Sequence, residues 1–298
     1  MTIEPFEHRG SRGRVLSART PGAPPGSILL IYGHHADLER MRTIAVALSA
    51  LGTVTCPDLP GFGGMPPVRE NRVTTIDGLA DALAAAIGQC CDQRERFSIV
   101  AVSFGLVVAI RALERHPHLV PRVSAVVSLA GLAERADLRL PRRLRTPARM
   151  VIRAAATAPV AGLTARWLLQ SPLLEALCRN FARHEHDAVS LAAEVRLWRS
   201  GDWRTRLLTL AEILRRGRPP TSPLPVLVHH VASANDRYVH PLRTVRTLEA
   251  RFREVRFSVV AADRHIPSAT ADLAALTAFL PDAALEVLRR HHADAERR

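Results

Sequence analysis

The sequence predicts an α/β fold with a mostly parallel central sheet flanked by helices, and three observations carry that expectation. Short apolar, β-rich runs alternate with longer helical patterns over residues 1–130. The alternation stops after Gly131, and it resumes at Val226 behind the Pro-rich stretch 219–225. The chain has 298 residues, 47% hydrophobic and 23% charged, with a mean hydropathy of +0.03, so a sizeable core can be buried.

The elements follow in order. Residues 1–27 read as one or two edge strands around Val15–Ala18. Ile28–Tyr32 is a continuous apolar run fit for a buried strand, Asp37–Leu51 reads as a helix, and Thr53–Cys56 reads as a strand. Pro and Gly make 58–64 a loop. Thr74–Cys91 reads as a helix, Phe97–Val102 as a strand, Ser103–His116 as a helix and Ser124–Ala130 as a strand, the spacing that βαβ units require. Residues 132–222 keep helical periodicity without β-branched alternation, as at Ala148–Ala156, Thr164–Leu169 and Ser190–Trp198, with Pro141, Pro147, Pro159 and Pro172 as expected breaks. Val226–Val231 resumes the sheet. A helix at Pro241–Phe252, a strand at Arg256–Val260, a helix at Ala269–Leu280 and a terminal helix over Asp282–Arg298 complete the order. The expected organisation is a core of 1–131 and 223–298 interrupted by a helical cap, 132–222.

Composition narrows function. No apolar run approaches the roughly 20 residues that span a bilayer, so no integral membrane segment is expected. The first residues lack a basic region followed by an apolar one, which leads to the expectation of a cytoplasmic protein. Cys56, Cys90, Cys91 and Cys178 form neither a disulfide framework nor a metal-finger spacing. The histidine pairs 34–35, 229–230 and 291–292, and His184 with His186, fit no zinc spacing either, so neither metal nor cofactor is expected.

The formal charge is +13 and the isoelectric point about 11.2, values that raise nucleic acid as a partner. Aromatic residues are only 4% of the chain and no nucleic-acid motif is present, so no nucleic-acid partner is expected. All basic residues are Arg, and residues 131–222 carry +9 of the excess. Either the cap has a solvated basic face, or it draws anionic substrates, an acidic carrier or a membrane surface. A small-molecule substrate, at most a homodimer, is the expectation for partners.

The chemistry concentrates at Ala101-Val102-Ser103-Phe104-Gly105, where a strand runs directly into a helix. A serine at a sharp strand-to-helix turn needs small residues two before and two after it, and Ala101 and Gly105 supply them. The plain alternative is a serine that caps the helix. Other signals fall at strand ends: Tyr32-Gly33-His34-His35 after the first confident strand, Asp236 after Val226–Val231, and His265 after Arg256–Val260.

That chain order of Ser, Asp and His, each just past a strand, resembles the α/β-hydrolase family over about residues 13–281. The loop 58–63 and the helical insertion after the sixth strand are similar to the family's as well. The resemblance implies Ser103 as nucleophile, His265 as its base and Asp236 as the carboxylate behind the imidazole, with Asp263 poorly placed for that task. It implies the backbone N–H groups of His34 and Phe104 as an oxyanion hole. Gly33, His35 and Trp167 are the candidate substrate contacts; His35 either faces the substrate or covers the loop, and Trp167, Trp198 and Trp203 either line a pocket or, as bulky residues in a small helical cap more often do, form its own core. Two positions depart from the family pattern: Ala101 stands where Gly is usual, and Tyr32-Gly33 precedes two histidines where His-Gly is common. The implied activity is hydrolysis of a small, largely apolar carboxylic ester through an acyl-enzyme. A thioesterase or a C–C bond hydrolase uses the same parts, as does a non-hydrolytic acyltransferase, cyclase or binding protein.

Overall fold

A computed structural model describes residues 1–68, 74–91, 95–167, 169, 172–181, 188–215, 222–261, 265, 276 and 279–296. Its eight strands are β1 (Thr2–His8), β2 (Ser11–Ala18), β3 (Ser27–Ile31), β4 (Thr53–Pro57), β5 (Phe97–Val102), β6 (Val123–Leu129), β7 (Leu224–Ser233) and β8 (Phe252–Val260). They form one sheet in the order β1-β2-β4-β3-β5-β6-β7-β8. The pairs β1/β2 and β2/β4 are antiparallel and all the others parallel.

The expected edge strands are a full hairpin. Arg9 and Gly10 both take positive φ (46° and 72°), the requirement of a two-residue turn whose twist matches its strands. The central strands β5 and β6 are buried at every position, as parallel strands covered on both faces must be.

Helices α1 (Leu38–Leu48), α2 (Ile76–Cys90), α3 (Gly105–Arg115), α9 (Pro241–Glu249) and α10 (Asp282–Glu296) accompany the sheet. Asp37 caps α1 by accepting from Arg40 N–H, and Thr75 caps α2 by accepting from Gly78 N–H. The expected helix at 269–280 falls almost wholly outside the described residues. Helix α9 ends earlier than expected and β8 begins at Phe252, because that buried ring joins the sheet opposite Leu224 instead of completing a helical stripe.

Among the described residues, five helices stand between β6 and β7: α4 (Arg142–Ala155), α5 (Ala158–Trp167), α6 (Pro172–Phe181), α7 (Ala188–Ser200) and α8 (Trp203–Arg215). Pro147 does not break α4 but lies inside it, one turn past the start, where it removes a single ladder hydrogen bond. Pro159 and Pro172 fall in first turns, where a missing N–H costs nothing. No residue of α4 is buried. Arginine side chains instead satisfy carbonyls at helix ends: Arg204 Nε donates to Ala156 O (3.0 Å) and Arg199 Nε to Leu169 O (2.8 Å). Leu169, Leu174 and Cys178 form a small separate core with Trp198 and Trp203 against it.

Candidate active site

The turn from β5 into α3 sets the geometry of the site. Ser103 has φ 50°, a strained angle for a residue with a Cβ. Its N–H donates to Leu129 O (2.9 Å), and its own carbonyl accepts from Leu106 N–H (3.1 Å), so the turn is held from both sides. Gly105 is obligatory: a Cβ there would stand 2.5 Å from Ile31 O and 2.8 Å from Tyr32 O. Strand β3 and helix α3 approach to backbone contact at this point, which is why position 105 carries no side chain.

Ser103 Oγ lies 2.8 Å from His265 Nε2, and His265 Nδ1 lies 2.6 Å from Asp236 Oδ2. A carboxylate only accepts, so Nδ1 carries the proton and Nε2 is left to accept from the serine hydroxyl. Asp236 is 3% exposed, and its Oδ1 accepts from the N–H groups of Tyr238 (2.8 Å) and Val239 (2.9 Å). The side chain therefore builds its own turn while aiming its second oxygen at the imidazole. The Tyr238 ring meets His265 edge-on, with centroids 5.3 Å apart. Asp263 lies outside the described residues.

The loop after β3 is held by the loop after β4 and by α8. Tyr32 is fully buried and its hydroxyl accepts from Leu59 N–H, which ties this loop to the one after β4. That bond accounts for a tyrosine where histidine is common. Gly61, at φ 81°, has no space for a side chain because a Cβ would stand 2.5 Å from Thr205 of α8. His34 Nε2 donates to Arg206 O (2.9 Å), its ring set edge-on to Phe62 and Phe104. Burial, with the Arg206 charge nearby, lowers its pKa to about 3, so the ring is neutral. Among the described residues, no hydrogen-bond acceptor takes up the backbone N–H of His34 or of Phe104.

His35 and Trp167 have different surroundings. His35 has both ring nitrogens engaged by the inserted helices: Nε2 donates to Glu194 of α7 (2.6 Å), and Nδ1 accepts from Arg206 Nη1 (3.3 Å), with Trp198 against the ring. A ring so occupied fastens α7 and α8 to the loop, the covering role that the sequence left open for it. Trp167 ends α5 at 71% exposure, turned to solvent. Gly33 is buried within the loop. Glu194, Arg196 and Arg206, absent from the sequence expectations, complete the fastening: Glu194 also pairs with Arg40 (2.7 Å), and Arg196 pairs with Asp37. Their signal in sequence was weak, since charged residues on helices ordinarily face water. Among the described residues, no group of three His, Cys, Asp or Glu side chains converges on a point where a metal ion could sit.

A second histidine carries a pH signature. His230, in β7, is fully buried, with Nδ1 3.0 Å from Ser128 Oγ. Burial lowers its pKa to about 4 from the ordinary value near 6.5. Between those values the unfolded chain binds the proton and the folded chain does not, so stability is fully present above about pH 6.5 and drains away as the pH falls toward 4. Replacing it in a His230→Gln variant is expected to flatten this acid limb by about 1.4 kcal/mol per pH unit. Urea unfolding of both proteins across pH 4 to 7 checks it, and parallel slopes would refute it.

Comparison with known proteins agrees with this architecture. The family model described as "Alpha/beta hydrolase family" matches residues 21–284. The fold is similar to the epoxide hydrolase CorEH (TM-score 0.70, 15% identity, covering 99% of this chain and 100% of that one). It is similar also to the enol-lactonase from Burkholderia xenovorans LB400 (TM-score 0.67, 16% identity, 95% and 99% covered). A thermophilic esterase from Thermogutta terrifontis gives a TM-score of 0.61 at 18% identity, with 97% and 98% covered. No curated protein sequence matches. With a family match spanning most of its length and the fold to go with it, the chain belongs to the alpha/beta hydrolase family and is an enzyme of that hydrolytic class.

Proposed function

We propose that the enzyme is a serine hydrolase of small, largely apolar carboxylic esters, working through an acyl-enzyme beneath a cap made of residues 132–222. The observation that carries this reading is the hydroxyl–imidazole–carboxylate chain of 2.8 Å and 2.6 Å, set at a positive-φ turn. Ser103 Oγ attacks the acyl carbon while its proton passes to His265 Nε2. The charge that develops on the carbonyl oxygen is accepted by the N–H groups of His34 and Phe104. Collapse of this intermediate expels the alcohol, which takes the proton from His265, and water then releases the acid by the same steps in reverse order. Asp236 steadies the imidazolium throughout.

The rings of Phe62 and Phe104, both buried, back the oxyanion loop with apolar surface and support an apolar acyl group. An elbow serine supports acyl transfer over a mechanism that begins from a carboxylate nucleophile. A lactone is an internal ester and fits the same steps, as the similarity to an enol-lactonase invites.

A panel of p-nitrophenyl esters of increasing acyl length, with a lactone, a thioester and a vinylogous diketone, tests the assignment. Esters with short acyl chains are expected to turn over fastest. Preference for the thioester or the diketone would reassign the bond that is cleaved. A folded enzyme inert to every member would overturn hydrolysis of this substrate class.

A further inference from the structure

The charge at the start of the inserted helices converges in space. Arg139, Arg142, Arg145 and Arg243 line one open cavity of about 590 Å³, together with Pro141 and His240. Among the described residues no carboxylate lines it. Elsewhere arginines are matched by acids: Arg14 by Glu39 and Asp58, Arg115 by Asp81, Arg40 by Glu194. Among the described residues none of the four cavity arginines makes an ion pair. Arg145 gives its Nε and Nη2 to the carbonyls of Leu140 and Leu138. Burial lowers the pKa of its guanidinium, and the like charges of Arg243, Arg135 and Arg142 lower it further. Asp137, an acid that acts on Arg145, is fully buried, and its oxygens already accept from the N–H groups of Ala133 and Glu134 and from Thr247 Oγ1.

Two helices begin at the same cavity. Helix α4 starts after Pro141 and α9 after His240, neither with a side-chain cap or an acidic residue in its first turn. Among the described residues, no anion compensates either positive end. Nδ1 of His240 is buried with no hydrogen-bond partner among the described residues. Like charges held together without counter-charge cost folding free energy, and here two helix ends add to the same positive field.

We propose that this cavity binds a phosphoryl group, carried by a ligand with at least two negative charges. A single carboxylate would leave most of the four guanidinium groups uncompensated, whereas a phosphoryl dianion presents three acceptor oxygens to their planar forks. The wall of the site also belongs to the turn that carries Asp236. Arg139 donates its N–H to Tyr238 O (2.9 Å) and its Nε to Val239 O (3.3 Å). An occupant therefore braces the segment that directs Asp236 toward His265.

Inorganic pyrophosphate is the probe, titrated calorimetrically into wild-type protein at physiological ionic strength. The pair of substitutions Arg142→Gln and Arg243→Gln is compared with Arg153→Gln and Arg253→Gln, which remove the same charge outside the cavity. Saturable binding is expected for wild type and for the control, with about a hundredfold loss in the cavity variant, a factor of roughly ten for each charge-assisted contact removed. Thermal melting verifies that both variants fold. Sedimentation with vesicles of phosphatidylcholine, with and without phosphatidic acid, distinguishes the source: binding to the anionic vesicles alone, lost only in the cavity variant, places the phosphoryl group on a lipid. Absence of binding in both arms, or equal weakening in the two variants, overturns the proposal.

Discussion

A Ser103→Ala variant is expected to lose all labelling by a fluorophosphonate and to lose ester turnover by about 10⁶-fold, the scale set by removing a triad serine. The substitution takes away one oxygen and little else. Serine and alanine meet the same backbone strain at φ 50°, so the turn that Gly105 and Leu129 hold in place has no new reason to move. His265 keeps its 2.6 Å bond to Asp236 and gives up only the one to Ser103. Thermal melting within a few degrees of wild type is therefore expected. Residual rate from the donors of His34 and Phe104 is compatible with the proposal, because an oxyanion site acts without a nucleophile. Labelling of the alanine variant, or a folded wild type that takes no label, would remove Ser103 from the role proposed for it.

How far such a site can be read from sequence depends on what holds each part in place. The core strands were legible because burial on both faces leaves a continuous apolar run, as in Phe97–Val102, and the Ser-x-Gly turn because the contact of Gly105 with Ile31 O tolerates no side chain. The hairpin of β1 and β2 was only half visible. Its turn rests on positive φ at Arg9, a residue type that does not announce that conformation.

The inserted helices were the least legible, for an energetic reason. Helix α4 buries no residue, and its neighbours are secured by arginines reaching carbonyls, by the small cluster around Leu169, and by ion pairs to the loop after β3. None of these leaves a strong periodic trace. Arg206 is the extreme case: 2% exposed, set over the Phe62 ring and touching His35, it sits where a surface position would be assumed for any arginine on a helix. The same limit explains why the sequence left two roles open for His35, facing a substrate or covering the loop. Its partners Glu194 and Arg206 lie 159 and 171 residues away, and only the folded chain brings them to it.

The carboxylate behind the imidazole gives the second large effect. An Asp236→Asn variant is expected to lose about 10⁴-fold in kcat while retaining its fold. The asparagine oxygen can still accept from the N–H groups of Tyr238 and Val239, so the turn that Asp236 builds survives. The amide nitrogen, however, replaces the oxygen that faces His265 Nδ1. Two donors cannot share that contact, so the ring moves its proton to Nε2, where it confronts Ser103 Oγ and no longer accepts from it. An alanine at this position would be a poorer test, because it also strands the two backbone donors and mixes a folding defect with a chemical one. Steady-state kinetics on the best ester, paired with thermal melting, reads the two contributions apart. The fluorophosphonate then separates the roles of the two residues: the asparagine variant keeps its serine and is expected to be labelled slowly but fully, whereas the alanine variant at 103 has nothing to label. Full activity in Asp236→Asn would assign the orienting carboxylate to a different residue.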